Sequence, residues 1–440
     1  MVSTRLIRPL RAERLDIRCN VGDAIVANLA THIVFFFERP LDATALAQAL
    51  ARALSAYPIF AGRMTLAGGR MGIRCRGQGV PFTSVSSDRT LTEAIRSTVD
   101  DTGIWLVDPV NGAAARWGFG PVCKIRVTRL ADDATAIGIS WQHALGDMQT
   151  LIHFMNAWVA AADDKPLAEP LIVEDRAAYL DGQLRPDSAR KAGVRCLGLV
   201  ETARAALYLV KDSPKQRTLS FYFGEDEIAH MCDAFGRRMR LSANDVVCAV
   251  MSEALMKADP RVRRRNLAVV VNTRKRCGLD PMLIGNIITT LNIDLHADDA
   301  ACSIAERIRH NVDHFDDEHC DMRINQQFLD NAGAWRAARC VSTAFNPARW
   351  NPLITNLSGF GLYRIEFERT VPSYCTMVMT LPVAGGGALM EGANGRGLVF
   401  QMSLPPEEFE FMSRREIREH VHRFRCADDD IPRLHREIHA

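Results

Sequence analysis

The feature that most constrains this chain is a change of period around residue 143. Ile137, Ile139 and Trp141 alternate with small or polar residues, the pattern of a half-buried strand. Leu151, Met155, Trp158 and Val159 then recur at helical spacing. Between the two runs lie His143 and Asp147, four residues apart. A histidine at a strand-to-helix turn is held by a rigid scaffold yet stays reachable, and it takes up a proton near neutral pH. The junction therefore demands a fold that mixes sheets with helices, and it marks His143 as a candidate general base.

The remaining segments fit the same picture. Residues 31–37 form a β-branched and aromatic strand closed by Pro40. Asp42 is placed to cap a helix bearing Leu46, Leu50 and Leu54. Further strands are expected at 122–128, 134–141, 218–223 and 267–271. Tyr363–Phe367 and Val399–Met402 alternate like edge-facing strands. Glu225 or Asp226 opens one helix, and Ser242 caps another carrying Val246, Val247, Val250, Met251, Ala254 and Leu255. From about 160 to 217, Pro166, Pro170, Pro186 and Pro214 interrupt charged stretches, as in a long surface crossover between two halves. Strands and helices mix without strict βαβ alternation, so mixed α/β (α+β) is expected rather than a doubly wound sheet.

Composition excludes several functions. With 54 Lys plus Arg against 52 Asp plus Glu, the net charge is +2, which gives no reason to expect a nucleic-acid partner. The run Arg261–Arg265 reads as a solvated face that could also meet an anionic ligand. The 12 cysteines include no Cys-x-x-Cys pair, so they read as ordinary thiols of a reducing compartment. No metal is expected: His310, His314 and His319, with Asp313, Asp316 and Asp317, read as a solvated helix face. Gly385–Gly387 lacks the Lys-Ser/Thr of a phosphate-binding loop, and Gly118-Phe119-Gly120 reads as a turn. No leader pattern and no stretch of about 18 apolar residues is present, so a cytoplasmic protein without a membrane partner is expected.

Taken in order, these segments resemble the BAHD acyltransferases, of the chloramphenicol-acetyltransferase-like fold. The resemblance rests on Leu50-x-x-x-Leu54-x-x-Tyr57-Pro58-x-x-Ala61-Gly62-Arg63, on Gly120–Arg129, and on His143-x-x-x-Asp147. It continues through Val271–Arg276 with Gly285-Asn286, Thr355–Ser358, Phe360–Glu368 and the tail Gly397–Met412. It implies two lobes, 1–205 and 206–440, with an active-site channel between them. It departs from the family in several places. Met148 follows Asp147, Leu357 stands where tryptophan is common, and Glu366-Phe367-Glu368-Arg369-Thr370 replaces an Asp-Phe-Gly-Trp-Gly signature. Gln142 stands where peptide-forming condensation domains carry a second histidine.

The resemblance implies transfer of an acyl group from acyl-CoA, a co-substrate rather than a bound cofactor, to a hydroxyl or amine of a small specialised metabolite. His143 is then the base, and Thr355 and Asn356 are candidate oxyanion donors. Asp147 either orients His143, as in a triad, or pairs with the family arginine, here Arg274; the resemblance favours the pair. Ser242, Lys275 and Arg276 are candidates for the coenzyme A phosphates. Two alternatives stay open: an acyl group delivered by a carrier protein, and a non-catalytic scaffold. A monomer is the default.

Overall fold

The computed structural model describes residues 2–438 except 68, 186–191, 317–319, 338, 344, 346–349 and 379–383. It is a mixed α/β structure built on two six-stranded mixed sheets. The first runs in the order Val2–Ile7, Val80–Ser86, Cys123–Arg129, Thr135–Gln142, Ala30–Phe37, Tyr374–Met377. The second runs Arg217–Phe223, Leu398–Leu404, Gly386–Glu391, Leu353–Asn356, Arg264–Asn272, Ile288–His296. The last strand of the first sheet comes from the second half of the chain, paired through Cys375↔Phe35 and Thr376↔Val34. The second half thus lends one strand to the first sheet, and a division at 205/206 falls inside the helix Leu199–Lys211.

Helices Ala43–Ala56 and Met148–Ala162 pack together on the first sheet. Asp42 starts the former by accepting from Thr44 N at 2.7 Å, which satisfies one orphan amide of the first turn. Leu46, Leu50 and Leu54 are buried, and Pro58 follows the last turn. Between the two helices Phe60 stacks on Phe154 at 4.1 Å, and the Trp158 indole donates to Leu46 O at 2.9 Å. Each such ring buried contributes about 1.5–3 kcal/mol. The second sheet carries helices Ala243–Lys257 and Ala301–Asp313, with Val247, Met251, Leu255 and Ile304 in a separate core. Among the described residues no helix is long and apolar enough to cross a membrane.

Four expectations need correction. The strand Thr135–Gln142 is buried along its whole length, not half-buried, because cores lie on both of its faces. Val399–Met402 lies in a strand with neighbours on both sides rather than at an edge. Tyr363–Phe367 is no strand: Leu362–Arg364 is a single 3-10 turn, and Glu368 and Arg369 reverse the chain at φ 51° and 60°. The crossover is not bare surface chain: its described residues include helices Arg176–Gln183 and Leu199–Lys211 and the strand Val194–Cys196, while 186–191, with Pro186, lie outside the described residues.

Candidate active site

The strand Thr135–Gln142 ends one residue before His143, and a single 3-10 turn, His143–Leu145, leads to helix Met148–Ala162. Backbone bonds hold the turn: Gln142 N donates to Val122 O at 2.7 Å and His143 N to Leu29 O at 3.0 Å. The buried Gln142 amide donates to Ala27 O and Gly112 O, both at 2.8 Å. Gly146 leaves no room for a side chain, since a Cβ there would stand 2.5 Å from Thr150.

Asp147 caps the helix and closes an ion pair with Arg274. Its carboxylate accepts from Thr150 N at 3.1 Å, Thr150 Oγ1 at 3.2 Å, Ile287 N at 3.1 Å, and Arg274 Nη1 and Nη2 at 2.7 and 3.1 Å. Arg274 also donates from Nε to Leu283 O and from Nη2 to Gly285 O. Burial pushes the Asp147 carboxyl up, but the Arg274 charge and hydrogen bonds and the two amides outweigh it, and the group stays below the ordinary 3.8.

A second buried pair, Arg176 Nη1 to Asp23 Oδ2 at 2.9 Å, also adjoins the turn. Arg176 Nη2 reaches Leu145 O at 3.3 Å. Asn286 links this pair to the histidine. Its N and Nδ2 donate to Asp23 Oδ1 at 2.9 and 2.8 Å, and Nδ2 also donates to His143 O at 2.8 Å. Gly285 before it sits at φ 141°, where a Cβ would press on the Arg176 guanidinium at 3.3 Å.

The imidazole itself is partly exposed: Nδ1 is buried without a hydrogen-bond partner, and Nε2 is left accessible. Burial lowers the ring's basicity below the ordinary 6.5; its own carbonyl, Asp147, Asn286 and Asp23 pull the other way without overcoming it. A ring that is neutral at pH 7, with its backbone fixed and one nitrogen accessible, is equipped to accept a proton.

The other candidates are placed unevenly. Thr355 and Asn356 end the strand Leu353–Asn356, next to Arg264–Asn272. Asn356 Oδ1 accepts from Ser358 N and Oγ at 2.9 and 2.7 Å, and among the described residues neither Thr355 nor Asn356 hydrogen-bonds to His143. Ser242 is occupied as a cap, with Oγ donating to Asp245 at 2.8 Å and accepting from Arg309 at 2.7 Å. Arg276 donates to Val312 O at 2.6 Å and Phe315 O at 3.1 Å. Lys275 is exposed and makes no such bond among the described residues. In the run Arg261–Arg265, Arg261 pairs with Asp259, Arg263 with Asp298, and Arg265 lies 3.7 Å over Trp350. The His310 and His314 rings lie 4.1 Å apart, tilted by 37°, at the end of a helix; Asp317 and His319 lie outside the described residues.

Sequence reasoning missed Asp23 and Arg176, and gave Asn286 no role. Asn20-x-x-Asp23 is a capping-box spacing and was a usable signal for Asp23. Arg176 lay in a stretch read as surface.

Residues 8–231 match the family described as the Transferase family. A hydroxycinnamoyltransferase of Narcissus pseudonarcissus is 28% identical over 167 residues, 34% of this chain and 36% of that protein. The chain therefore spans about a third of the length of the curated relatives it matches. Over nearly the whole chain the likeness is one of fold. Vinorine synthase superposes with a TM-score of 0.68 at 17% identity, covering 96% of this chain and 98% of that one. TRI101 of F. graminearum, complexed with coenzyme A and T-2 mycotoxin, gives 0.71 at 14% identity, covering 92% and 98%.

Proposed function

The chain belongs to the BAHD-type acyltransferases of the Transferase family, and from that premise we propose that it moves an acyl group from acyl-CoA to a hydroxyl or amine of a small specialised metabolite. The observation that carries this reading is the His143 turn, with its backbone clamped, its ring neutral and Nε2 accessible.

In the proposed step, His143 Nε2 takes the acceptor's proton as its oxygen or nitrogen attacks the thioester carbonyl. The tetrahedral intermediate collapses with cleavage of the carbon–sulfur bond, and the imidazolium returns the proton to the departing thiolate. General-base help of this kind is worth about 10²–10⁴ in rate. Asn356 Nδ2 and the Thr355 hydroxyl are the proposed oxyanion donors. Asp147 and Arg274 shape the turn and touch neither substrate. Of the three residues expected at the phosphates, Lys275 is exposed and makes no hydrogen bond or ion pair among the described residues, whereas Ser242 and Arg276 are engaged elsewhere. Coenzyme A bound to TRI101 supports a CoA donor by analogy. The protein is proposed to act as a cytoplasmic monomer.

The test is thermal stabilisation by a series of acyl-CoAs, followed by mass-spectrometric detection of acylated acceptors. Ligand at a hundredfold excess over its dissociation constant adds about 2.7 kcal/mol. A shift with one acyl-CoA class, retained in His143→Ala while product is lost, supports the proposal. No shift with any CoA thioester, but one with a carrier-bound acyl group, replaces the donor.

A further inference from the structure

The crossover strand Val194–Cys196 pairs antiparallel with Cys340–Ser342 in the register Cys340↔Cys196, Val341↔Arg195, Ser342↔Val194. Leu197 N donates to Arg339 O at 3.0 Å, and Thr343 N to Gly193 O at 2.8 Å. Hydrogen-bonded and non-hydrogen-bonded positions alternate along such a ladder, so Cys196 and Cys340 occupy a non-hydrogen-bonded one. There opposed Cα atoms approach to about 4.5 Å and side chains come closest. That separation lies inside the range of about 4.4–6.8 Å that a disulfide spans without moving the backbone. The two sulfurs are 2.8 Å apart, and both are free thiols.

What this pair anchors is weakly held. Helix Leu199–Lys211 begins three residues after Cys196, and only Ala205 of it is buried. Leu199, Val200, Leu207 and Val210 are exposed by 76, 66, 62 and 78%. The helix therefore gains little from apolar burial. Its attachments are polar, such as Arg195 to Glu201 at 2.8 Å and Tyr208 OH accepting from Ala384 N at 2.9 Å. Segments with few buried contacts open locally at low free energy. One step further along the ladder, Gly193 and Thr343 wall a polar cavity of about 440 Å³ shared with Asn292, His310 and Asp321.

We propose that Cys196 and Cys340 are a reversible oxidation site, taking a small disulfide of the glutathione type and locking the crossover to the second half of the chain. The Cys196 thiolate attacks one sulfur of the reagent, whose S–S bond breaks and releases the first thiolate. The Cys340 thiolate then attacks the Cys196 sulfur and displaces the second. Two cysteine thiols are oxidised to one disulfide, the reagent is reduced to two thiols, and the two cysteine protons end on them. Cys196 acts first because it is the more exposed; burial pushes the Cys340 thiol up to about 12. The bond closes a loop between positions 144 apart, so it also restricts the unfolded chain.

The experiment treats the folded full-length protein with oxidised glutathione and follows intact mass, peptide maps and amide exchange. The expected result is a Cys196–Cys340 cross-link reversed by dithiothreitol, a higher melting temperature, and exchange over residues 194–211 slowed about tenfold or more. Cys340→Ser should stop at a glutathione adduct on Cys196, and Cys196→Ser should form no cross-link. Retention of both thiols, pairing with other cysteines, or a cross-link that leaves exchange over 194–211 unchanged overturns the proposal.

Discussion

Two buried arginine–aspartate pairs adjoin the same turn, and they are not equivalent. Arg274 and Asp147 form a closed unit: the carboxylate is met by both guanidinium nitrogens and two backbone amides, and the arginine's other donors reach Leu283 O and Gly285 O. Arg176 and Asp23 form an open one. Arg176 meets Asp23 through one nitrogen, its Nε is buried without a partner, and its bond to Leu145 O is long at 3.3 Å. The first pair fixes where helix Met148–Ala162 begins. The second holds Asn286 in place, and Asn286 holds the His143 carbonyl. A closed pair sets position, while an open pair transmits it through a third residue.

Breaking the closed pair should cost most. Arg274→Ala strands a buried carboxylate and should lower stability by about 3–5 kcal/mol in urea unfolding. Arg274→Lys should cost nearly as much, because an ammonium cannot meet both oxygens and the carbonyls together. Arg176→Ala should cost less, about 2–3 kcal/mol, since Asp23 keeps the Asn20 and Asn286 donors. Arg176→Lys should be close to neutral. Equal losses for the two lysine variants would erase the distinction.

Asn286→Ala sharpens the comparison from the middle. It should cost about 1–2 kcal/mol in stability and lower kcat with little change in KM, because it frees the His143 backbone without touching the donor site. A change confined to KM would deny it that positioning role.

The pH dependences are the smallest effects. With His143 held below 6.5, the acid limb of kcat/KM should have its midpoint under that value, activity being lost as the ring protonates. Asp147→Asn removes a charge that raises the histidine and should move the limb lower still. Asp147 itself is depressed below 3.8, so its contribution to stability is complete above the unfolded value, about 3.9, and is lost as pH falls through the lower folded value. The gap in urea midpoint between wild type and Asp147→Asn should therefore be constant near neutrality and shrink below about pH 4.

The sequence exposed what is encoded locally. The switch of period at His143 and the caps at Asp42 and Ser242 depend on residues within one or two turns of each other. Features set by distant partners were hidden. Val399–Met402 alternates like an edge strand, yet its neighbours at 217–223 and 386–391 bury it from both sides. Arg176 sits in a short helix of mixed character, and only the fold brings it to Asp23, 153 positions away. Ser242 was legible as a cap, and that same capping geometry, with Arg309, occupies the hydroxyl expected at a phosphate.

The central claim is that this turn presents His143 as the base of acyl transfer. Single-turnover acyl transfer by His143→Ala, with the acyl-CoA that stabilises the wild-type protein, tests it most directly. The account predicts a rate about 10²–10⁴ lower with the thermal shift by acyl-CoA unchanged. A rate within tenfold of wild type at the same binding would contradict it.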